Sequence, residues 1–337
     1  MPDIGFVIIG RNEGERLCAC LTSVLKHGTK IVYVDSGSSD NSCKLAAAMG
    51  VDVHPLDKSK PFSAARARNE GFAHMMAKYP TLDFIQFLDG DTVLVDTWLP
   101  AAVQALNDDP KSAVVSGRRR ELRPEHSVFN RLCNIEWNKP VGKIWNFEGD
   151  ALFRPQAFTQ AGGFNASLIA GEEPEFCSRL RAKGWDILRI GADMTWHDAN
   201  MLRVGQWWKR EVRAAYAYAE SLMMYGSAYS LKRSLGIFFW GAFLPIATLL
   251  LLWPTRGLSA LVAFGLLCVL IFRAYRGMRS RTDSSYHAFE YAIFCALGKF
   301  PMLQGYLQYW TRRLRGHHPQ LIEYKGAQSE LAVQPAK

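Results

Sequence analysis

The chain has 337 residues, a formal net charge of +9 and seven cysteines. That length admits two domains, or one domain with an appendage. The cysteines show no Cys-x-x-Cys pair and no zinc spacing, which points to reduced thiols and a cytosolic catalytic domain. No Gly-x-Gly-x-x-Gly or Gly-x-x-x-x-Gly-Lys phosphate loop occurs, which argues against a kinase, an NTPase or a dinucleotide enzyme. Basic residues gather at Arg118–Arg120, Lys209-Arg210, Lys232-Arg233, Arg273 to Arg281 and Arg312–Arg315. No basic helix with interleaved aromatic residues stands away from the apolar segments, so nucleic acid is not an expected partner.

In chain order, Ile4 to Ile9 is a short apolar strand ended by Gly10-Arg11-Asn12-Glu13. Residues 15–25 have helical spacing, with Leu17, Leu21, Val24 and Leu25 on one side. Ile31 to Val34 is a second strand, followed by the Ser- and Gly-rich loop Asp35–Asp40. A helix over 41–49, a strand at 51–53, a helix over 64–78 and a strand at 84–88 follow. The last strand is apolar throughout and ends in Asp89-Gly90-Asp91. Such alternation predicts an α/β fold with a mostly parallel sheet and helices on both faces. Ligands of such sheets sit beyond the carboxyl ends of the strands, so Asp35 and Asp89 can share a site. Later strands are expected at 113–117, 150–154 and 187–190. A helix is expected over 174–183, and an amphipathic, aromatic and basic helix over 205–225.

Ser234 to Trp253 is 20 residues without a charge, enough for roughly 30 Å of hydrocarbon. Pro254–Gly257 is a turn. Leu258 to Phe272 is 15 apolar residues, short for a span unless Arg273 snorkels. Basic residues on both outer flanks predict a transmembrane hairpin with its ends in the cytoplasm. Residues 286–310 are apolar but carry His287, Glu290, Lys299 and Pro301, which fits an interfacial or re-entrant helix. Three parts result: a catalytic domain at 1–230, a transmembrane hairpin at 231–282, and an interfacial helix with a basic tail at 283–337. No basic region leads into a long apolar core at the N-terminus, so no cleaved signal peptide is expected.

Two carboxylates at i and i+2, as in Asp89 and Asp91, can converge on one hard divalent cation. Alone, Asp-x-Asp is common. Here it is one of five ordered features: Ile8-Ile9-Gly10-Arg11-Asn12-Glu13, Val34-Asp35-Ser36-Gly37-Ser38-Ser39-Asp40, Ala67-Arg68-Asn69-Glu70-Gly71, Asp89-Gly90-Asp91, and Gly162-Gly163-Phe164 followed by Gly171-Glu172-Glu173-Pro174-Glu175. In this order they resemble the family 2 glycosyltransferases over roughly residues 4–215.

The resemblance implies a GT-A, Rossmann-like nucleotide-sugar fold, an inverting mechanism, and Mg²⁺ or Mn²⁺ as cofactor. It implies donor-binding roles for Asn12, Glu13, Asp35, Arg68 and Asp89, with Arg66 a rival to Arg68. In its loop the Asp35 carboxylate could accept the imide N–H of uracil or a ribose hydroxyl. Asp91 is the expected metal ligand, helped by Asp89, and His197 in Trp196-His197-Asp198 could complete the metal shell or touch the diphosphate. An inverting transfer needs a base opposite the leaving group. Glu173 matches that base by position, with Glu172 as its rival, and Glu stands where the family usually has Asp. Trp207, Trp208, Lys209 and Arg210 are expected to contact acceptor or diphosphate. Their order departs from the Gln-x-x-Arg-Trp motif of processive members, so processive synthesis is not inferred.

The expected function is therefore metal-dependent transfer from a nucleotide-diphospho-sugar to a hydroxyl of a polyprenyl-diphosphate-linked saccharide. The setting is exopolysaccharide or envelope glycan synthesis at the cytoplasmic face of the inner (plasma) membrane. A UDP-sugar is the favoured donor and a GDP-sugar the alternative. A polyprenyl-phosphate sugar transferase and a non-catalytic membrane scaffold are the competing readings.

Overall fold

The computed structural model describes residues 2–168, 171–225 and 228–315; the tail at 316–337 lies outside the described residues. One nine-stranded sheet organises the first two thirds of the chain. Its strands are β1 (Ile4–Gly10), β2 (Ile31–Asp35), β3 (Asp52–Pro55), β4 (Phe84–Asp89), β5 (Thr92–Leu94), β6 (Ser112–Glu121), β7 (Gly142–Lys143), β8 (Ala151–Phe153) and β9 (Asp186–His197). Around it lie α1 (Glu15–Leu25), α2 (Ser42–Ala48), α3 (Ala64–Lys78), α4 (Trp98–Asp108), α5 (Val128–Trp137), α6 (Pro155–Gln160) and α7 (Glu172–Ala182). The strand order is β3-β2-β1-β4-β8-β6-β9-β5, with β7 on β9.

The apolar runs alternate between two cores, as a period of two requires. Val7, Ile9, Val32, Val34, Ile85 and Phe87 face one core. Phe6, Ile8, Ile31, Tyr33, Phe84 and Leu88 face the other. With both faces covered, these strands read as unbroken apolar runs.

The sheet is mixed rather than mostly parallel. Among the described strands, β1–β2, β1–β4, β2–β3 and β6–β9 run parallel, while β4–β8, β5–β9, β6–β8 and β7–β9 run antiparallel. Strand direction leaves no mark on an apolar run, which is why the sequence expectation missed it. The helix expected over 174–183 starts earlier, at Glu172, so Glu172 and Glu173 belong to its first turn.

Beyond the sheet come α8 (Val204–Tyr225), α9 (Ala228–Phe238), α10 (Leu244–Leu251), α11 (Leu258–Met278), α12 (Ser285–Leu297) and α13 (Lys299–Leu314). A π-helical stretch, Phe239–Phe243, joins α9 to α10. Two helical stretches are long and apolar enough to cross a membrane, Leu231–Leu251 and Leu258–Met278. The second is longer than its uncharged run because the helix continues through Arg273 and Arg276. Residues 286–310 are not one helix. The chain breaks at Gly298, and α13 packs along α8, burying Tyr306 and Tyr309 against Tyr216 and Ala219.

One close approach sets where α3 lies. Gly71 meets β1 and β2 directly: a Cβ there would overlap Val7 and come within 2.8 Å of Val34 Cγ2. Gly71→Ala should therefore lower stability by about 1–3 kcal/mol through overpacking, read as a lower midpoint in denaturant unfolding of the purified chain. An unchanged midpoint would mean that α3 is not held at this contact.

Candidate active site

The register of the central strands aligns the loops that carry polar residues. Gly10 lies opposite Asp35, and Ile9 lies opposite Asp89. The loops after β1, β2 and β4 thus emerge side by side at the switch in strand order. They form one end of a cleft of about 860 Å³, whose lining includes Asn12, Glu13, Arg68, Asp89, Asp91, Glu172, Glu173, His197 and Arg210. That volume is in the range of small-molecule sites.

At the β1 end, Asn12 has a positive φ of 56°. Its side-chain oxygen accepts the Ser39 amide at 2.7 Å, and its own amide donates to Ser38 Oγ at 2.9 Å. Asn12 thereby clasps the loop after β1 to the loop after β2. Arg11, over the Phe62 ring at 5.9 Å, closes the same end. Asp35, expected at a base or ribose, is held by its own loop. Asp35 is 3% exposed. Its carboxylate accepts the Gly37 and Ser38 amides at 2.9 Å each, the Tyr33 hydroxyl at 3.1 Å, and the Ser38 hydroxyl. Asp35 shapes the loop from which Ser36, Ser39 and Asp40 line the cleft.

The centre of the cleft is built on a buried cation. Arg68, on α3, is 3% exposed. Nη2 donates to Asp89 Oδ1 at 2.8 Å, and Nη1 donates to Glu172 Oε1 at 3.0 Å and lies 3.7 Å from Glu173 Oε1. Burial works against its charge, but Asp89, Glu173 and Glu172 outweigh that and raise its pKa. The rival Arg66 points elsewhere, tied to Glu70 and to the carbonyls of Asp57 and Lys60.

Glu173 sits in the first turn of α7 and accepts the Gly149 amide at 3.2 Å. Burial and then the neighbouring Glu172 push its carboxyl up to about 7, against the pull of Arg68. A carboxylate tuned that high is suited to accept a proton near neutral pH. Glu172 holds Arg68 directly and is itself buried, at 6% exposure.

Asp91 and His197 meet because β5 pairs antiparallel with β9, placing Thr92 opposite His197. His197 Nε2 lies 3.3 Å from Asp91 Oδ2. Burial, and next Arg119, pull the imidazole down to about 4, so it is neutral at physiological pH. The carboxylate suits hard ions such as Mg²⁺ and Mn²⁺, and a neutral imidazole beside it has a lone pair free to join a metal shell. Among the described residues no group of three or more His, Cys, Asp and Glu side chains forms a ready metal cage. Two protein ligands completed by substrate phosphates are the usual alternative for such ions.

Two functional-looking residues escaped the sequence reading. Arg119 belongs to a basic run that reads equally as a solvated face, yet it pairs with the fully buried Asp150 at 2.9 Å and lies 3.5 Å from Asp89. Asp150 also accepts the Asp89 amide at 2.9 Å. The one usable signal was Gly149-Asp150 ahead of an apolar strand, an acid at a strand end like Asp89.

The acceptor-side expectations divide. Arg210 lines the cleft and pairs with Glu136 at 2.8 Å. Trp207 does not reach the cleft: it is 5% exposed and packs on Phe129 and Phe294. Trp208 Nε1 donates to Gln304 Oε1 at 2.7 Å, and Lys209 is exposed outside the lining. Adjacent aromatic residues on a helix point to different sides, and here one side is core.

The sequence and the fold have counterparts in known proteins. Residues 6–167 match the family model described as Glycosyl transferase family 2. The poly-beta-1,6-N-acetyl-D-glucosamine synthase of Staphylococcus aureus (strain COL) is 26% identical over 242 residues, covering 66% of this chain and 56% of the synthase. The protein of the same name from Staphylococcus epidermidis is 25% identical over 239 residues, covering 65% and 55%. The chain thus spans about half the length of these curated relatives. Among solved structures, the mannosyltransferase PcManGT from Pyrobaculum calidifontis, in complex with GDP-Man and Mn²⁺, superposes with a TM-score of 0.56 at 18% identity, covering 87% of this chain and 86% of that one. That likeness concerns the fold. Residues 6–167 are thus similar to the family 2 glycosyltransferases, and the sheet with its flanking helices has a GT-A fold.

Proposed function

We propose that this enzyme moves a sugar, with inversion, from a nucleotide-diphospho-sugar to a hydroxyl of a lipid-linked saccharide in exopolysaccharide or envelope glycan synthesis. The observation that carries the reading is the meeting of Asp89, Asp91, His197, Arg68 and Glu173 in one cleft at the switch in strand order. The synthase relatives support a glycan product, and the GDP-Man and Mn²⁺ of the structural neighbour support a nucleotide-sugar and a divalent ion. UDP remains the favoured nucleotide and GDP the alternative.

In this reading the nucleoside lies over Asn12, Ser39 and Asp40, beside Arg11 and Phe62. Asp91 and His197 would hold a Mg²⁺ or Mn²⁺ ion, whose charge would offset the charge that grows on the diphosphate leaving group. Arg68 keeps Asp89 and the two glutamates in place. Glu173 takes the acceptor hydroxyl's proton as that oxygen bonds to the anomeric carbon, and the electron pair of the breaking bond leaves with the diphosphate. Asp35 contributes by shaping the loop that receives the nucleoside. Arg210 and Arg213 also line the cleft, and this reading assigns them to the phosphates or the acceptor.

The membrane part of the reading rests on uncovered apolar surface. Leu250 and Trp253 are 72% and 92% exposed, and Leu261 and Phe264 are also open. A contiguous apolar surface of this kind needs a cover, and a bilayer provides one for both α10 and α11. Residues 1–230 then form the cytoplasmic catalytic domain and residues 231–282 the membrane hairpin, with 283–315 returning to pack on the domain.

Three outcomes follow. Glu173→Gln should keep nucleotide diphosphate binding while turnover falls ~10²–10⁴-fold. In the wild type the active form is the ionised carboxylate, so kcat should fall as pH drops below about 7. Persistent activity of the variant would indicate an acceptor that is already ionised, such as a lipid phosphate. Asp91→Asn should lose at least ~10²-fold in turnover, with the loss steepest at low Mn²⁺. Full wild-type activity in excess EDTA would exclude the ion. On a background lacking native cysteines, an impermeant maleimide applied to intact cells should label a cysteine at Thr255 and not one at Lys58. Labelling at Lys58 would reverse the proposed orientation.

A further inference from the structure

A second cavity, of about 200 Å³, opens where β6, the end of α5 and the loop after α11 meet. At ~30 Å³ each, it has room for about six waters. Its polar walls include Arg118, Arg119 and Arg120 from β6, Asn134 from α5 and Asn138 just past its end, and Arg281 and Asp283 from the loop. The loop is pinned there: Asn138 Nδ2 donates to the Arg281 carbonyl at 2.8 Å.

The charges in this cavity do not balance. Arg120 is held by Asp193 at 2.8 Å. Neither Arg118 nor Arg281 has a carboxylate partner among the described residues, and Arg118 Nε is buried without a hydrogen-bond partner. Asp283 is the one acid among the lining residues. Beneath them Arg189, 4% exposed, has its pKa lowered, first by burial and further by Arg119 and Arg281, with Glu148 opposing. Partly buried guanidinium groups without counter-ions are costly, and an anion in the cavity would remove that cost. Guanidinium forks and amide N–H groups together match the oxygens of a phosphate.

We propose that this cavity is a phosphate-binding site that takes the headgroup of an anionic phospholipid. Its position gives the reason for the lipid: Arg281 comes three residues after Met278, the end of α11. On the membrane reading above, on which the lipid source rests, this is where the hairpin re-enters the cytoplasmic headgroup layer. The site differs from the donor cleft in its ligand and its walls. It shares only Arg119, which lines both. An anion here therefore pulls on the same guanidinium that holds Asp89 and Asp150.

The test is thermal unfolding of the full chain in neutral detergent, titrated with short-chain phosphatidylglycerol, short-chain phosphatidylcholine or inorganic phosphate. Phosphatidylglycerol should raise the midpoint well beyond phosphatidylcholine. Arg118→Gln/Arg281→Gln should weaken that response at least ~10-fold while leaving the phosphatidylcholine response unchanged. Asp283→Asn, which removes the opposing acid, should strengthen it several-fold, so the site is tested even if the double variant folds poorly. A response to inorganic phosphate without one to phosphatidylglycerol would keep the site and overturn its lipid source. Equal phosphate and phosphatidylglycerol responses in the wild type and both variants would overturn the site. Recovery of the chain from cells in the soluble fraction without detergent would defeat the membrane reading, and the inorganic phosphate arm would still decide the cavity.

Discussion

The buried guanidinium of Arg68 is the constraint around which the cleft at the switch in strand order is arranged. It takes Asp89 from the end of β4 and Glu172 and Glu173 from the first turn of α7, and it stands on α3. Three elements far apart in sequence are thus fixed by one cation. An isolated buried charge of either sign would be untenable, so none of these groups can be considered alone. Removing the cation would leave three neighbouring, partly buried carboxylates without their counter-charge, which is why breaking such a network costs far more than the network contributes over an apolar replacement. Burial, and next the Glu172 carboxylate, raise the Glu173 carboxyl to about 7 against the pull of Arg68, in the range where a base is useful.

A second guanidinium completes the arrangement from the opposite side. Arg119 holds Asp150 and lies near Asp89, so Asp89 is bracketed by two arginines. The antiparallel insertion of β8 beside β4 makes this geometry available. Because β8 runs opposite to β4, the residue just before β8 lands at the end of β4, and Asp150 accepts the Asp89 amide there. Gly149 permits the approach: a Cβ at this position would lie 3.0 Å from Asp89 Oδ2. The antiparallel β5–β9 pair does the equivalent for Asp91 and His197. Strand direction in the second half of the sheet is therefore a condition of the site.

The C-terminal helices are bound to this domain rather than tethered beside it. Gly305 lets α13 approach α8 so closely that a Cβ would run into the Val212 carbonyl. Arg131 on α5 makes a two-nitrogen contact with Glu290 on α12, at 3.0 and 3.1 Å. Trp207 joins Phe129 and Phe294 between them. The apolar helices α10 and α11 extend from that framework with their leucines uncovered. A fixed join sets the cleft at a defined height and angle to whatever covers those leucines, which a flexible linker would not do.

Much of this was legible in the sequence because it is local. Apolar runs of four to six residues bounded by Gly, Ser and Asp mark strands and their carboxyl-end loops, and those loops hold Asn12, Glu13, Asp89 and Asp91. Arg68 and the Glu172–Glu173 pair were marked by short motifs, and the uncharged stretch from 234 to 253 by its length. What the sequence could not supply was every relation that depends on which strand lies beside which. Antiparallel pairing, invisible in an apolar run, brought Asp150 and Arg119 to Asp89 and His197 to Asp91. Burial then decided among residues of identical type: Trp207 became core, Arg119 a site wall, Arg66 a loop fastener, and Asp35 the cap of its own loop. Side-chain type and local spacing are written along the chain, but direction, partner and solvent access arise only when distant segments pack.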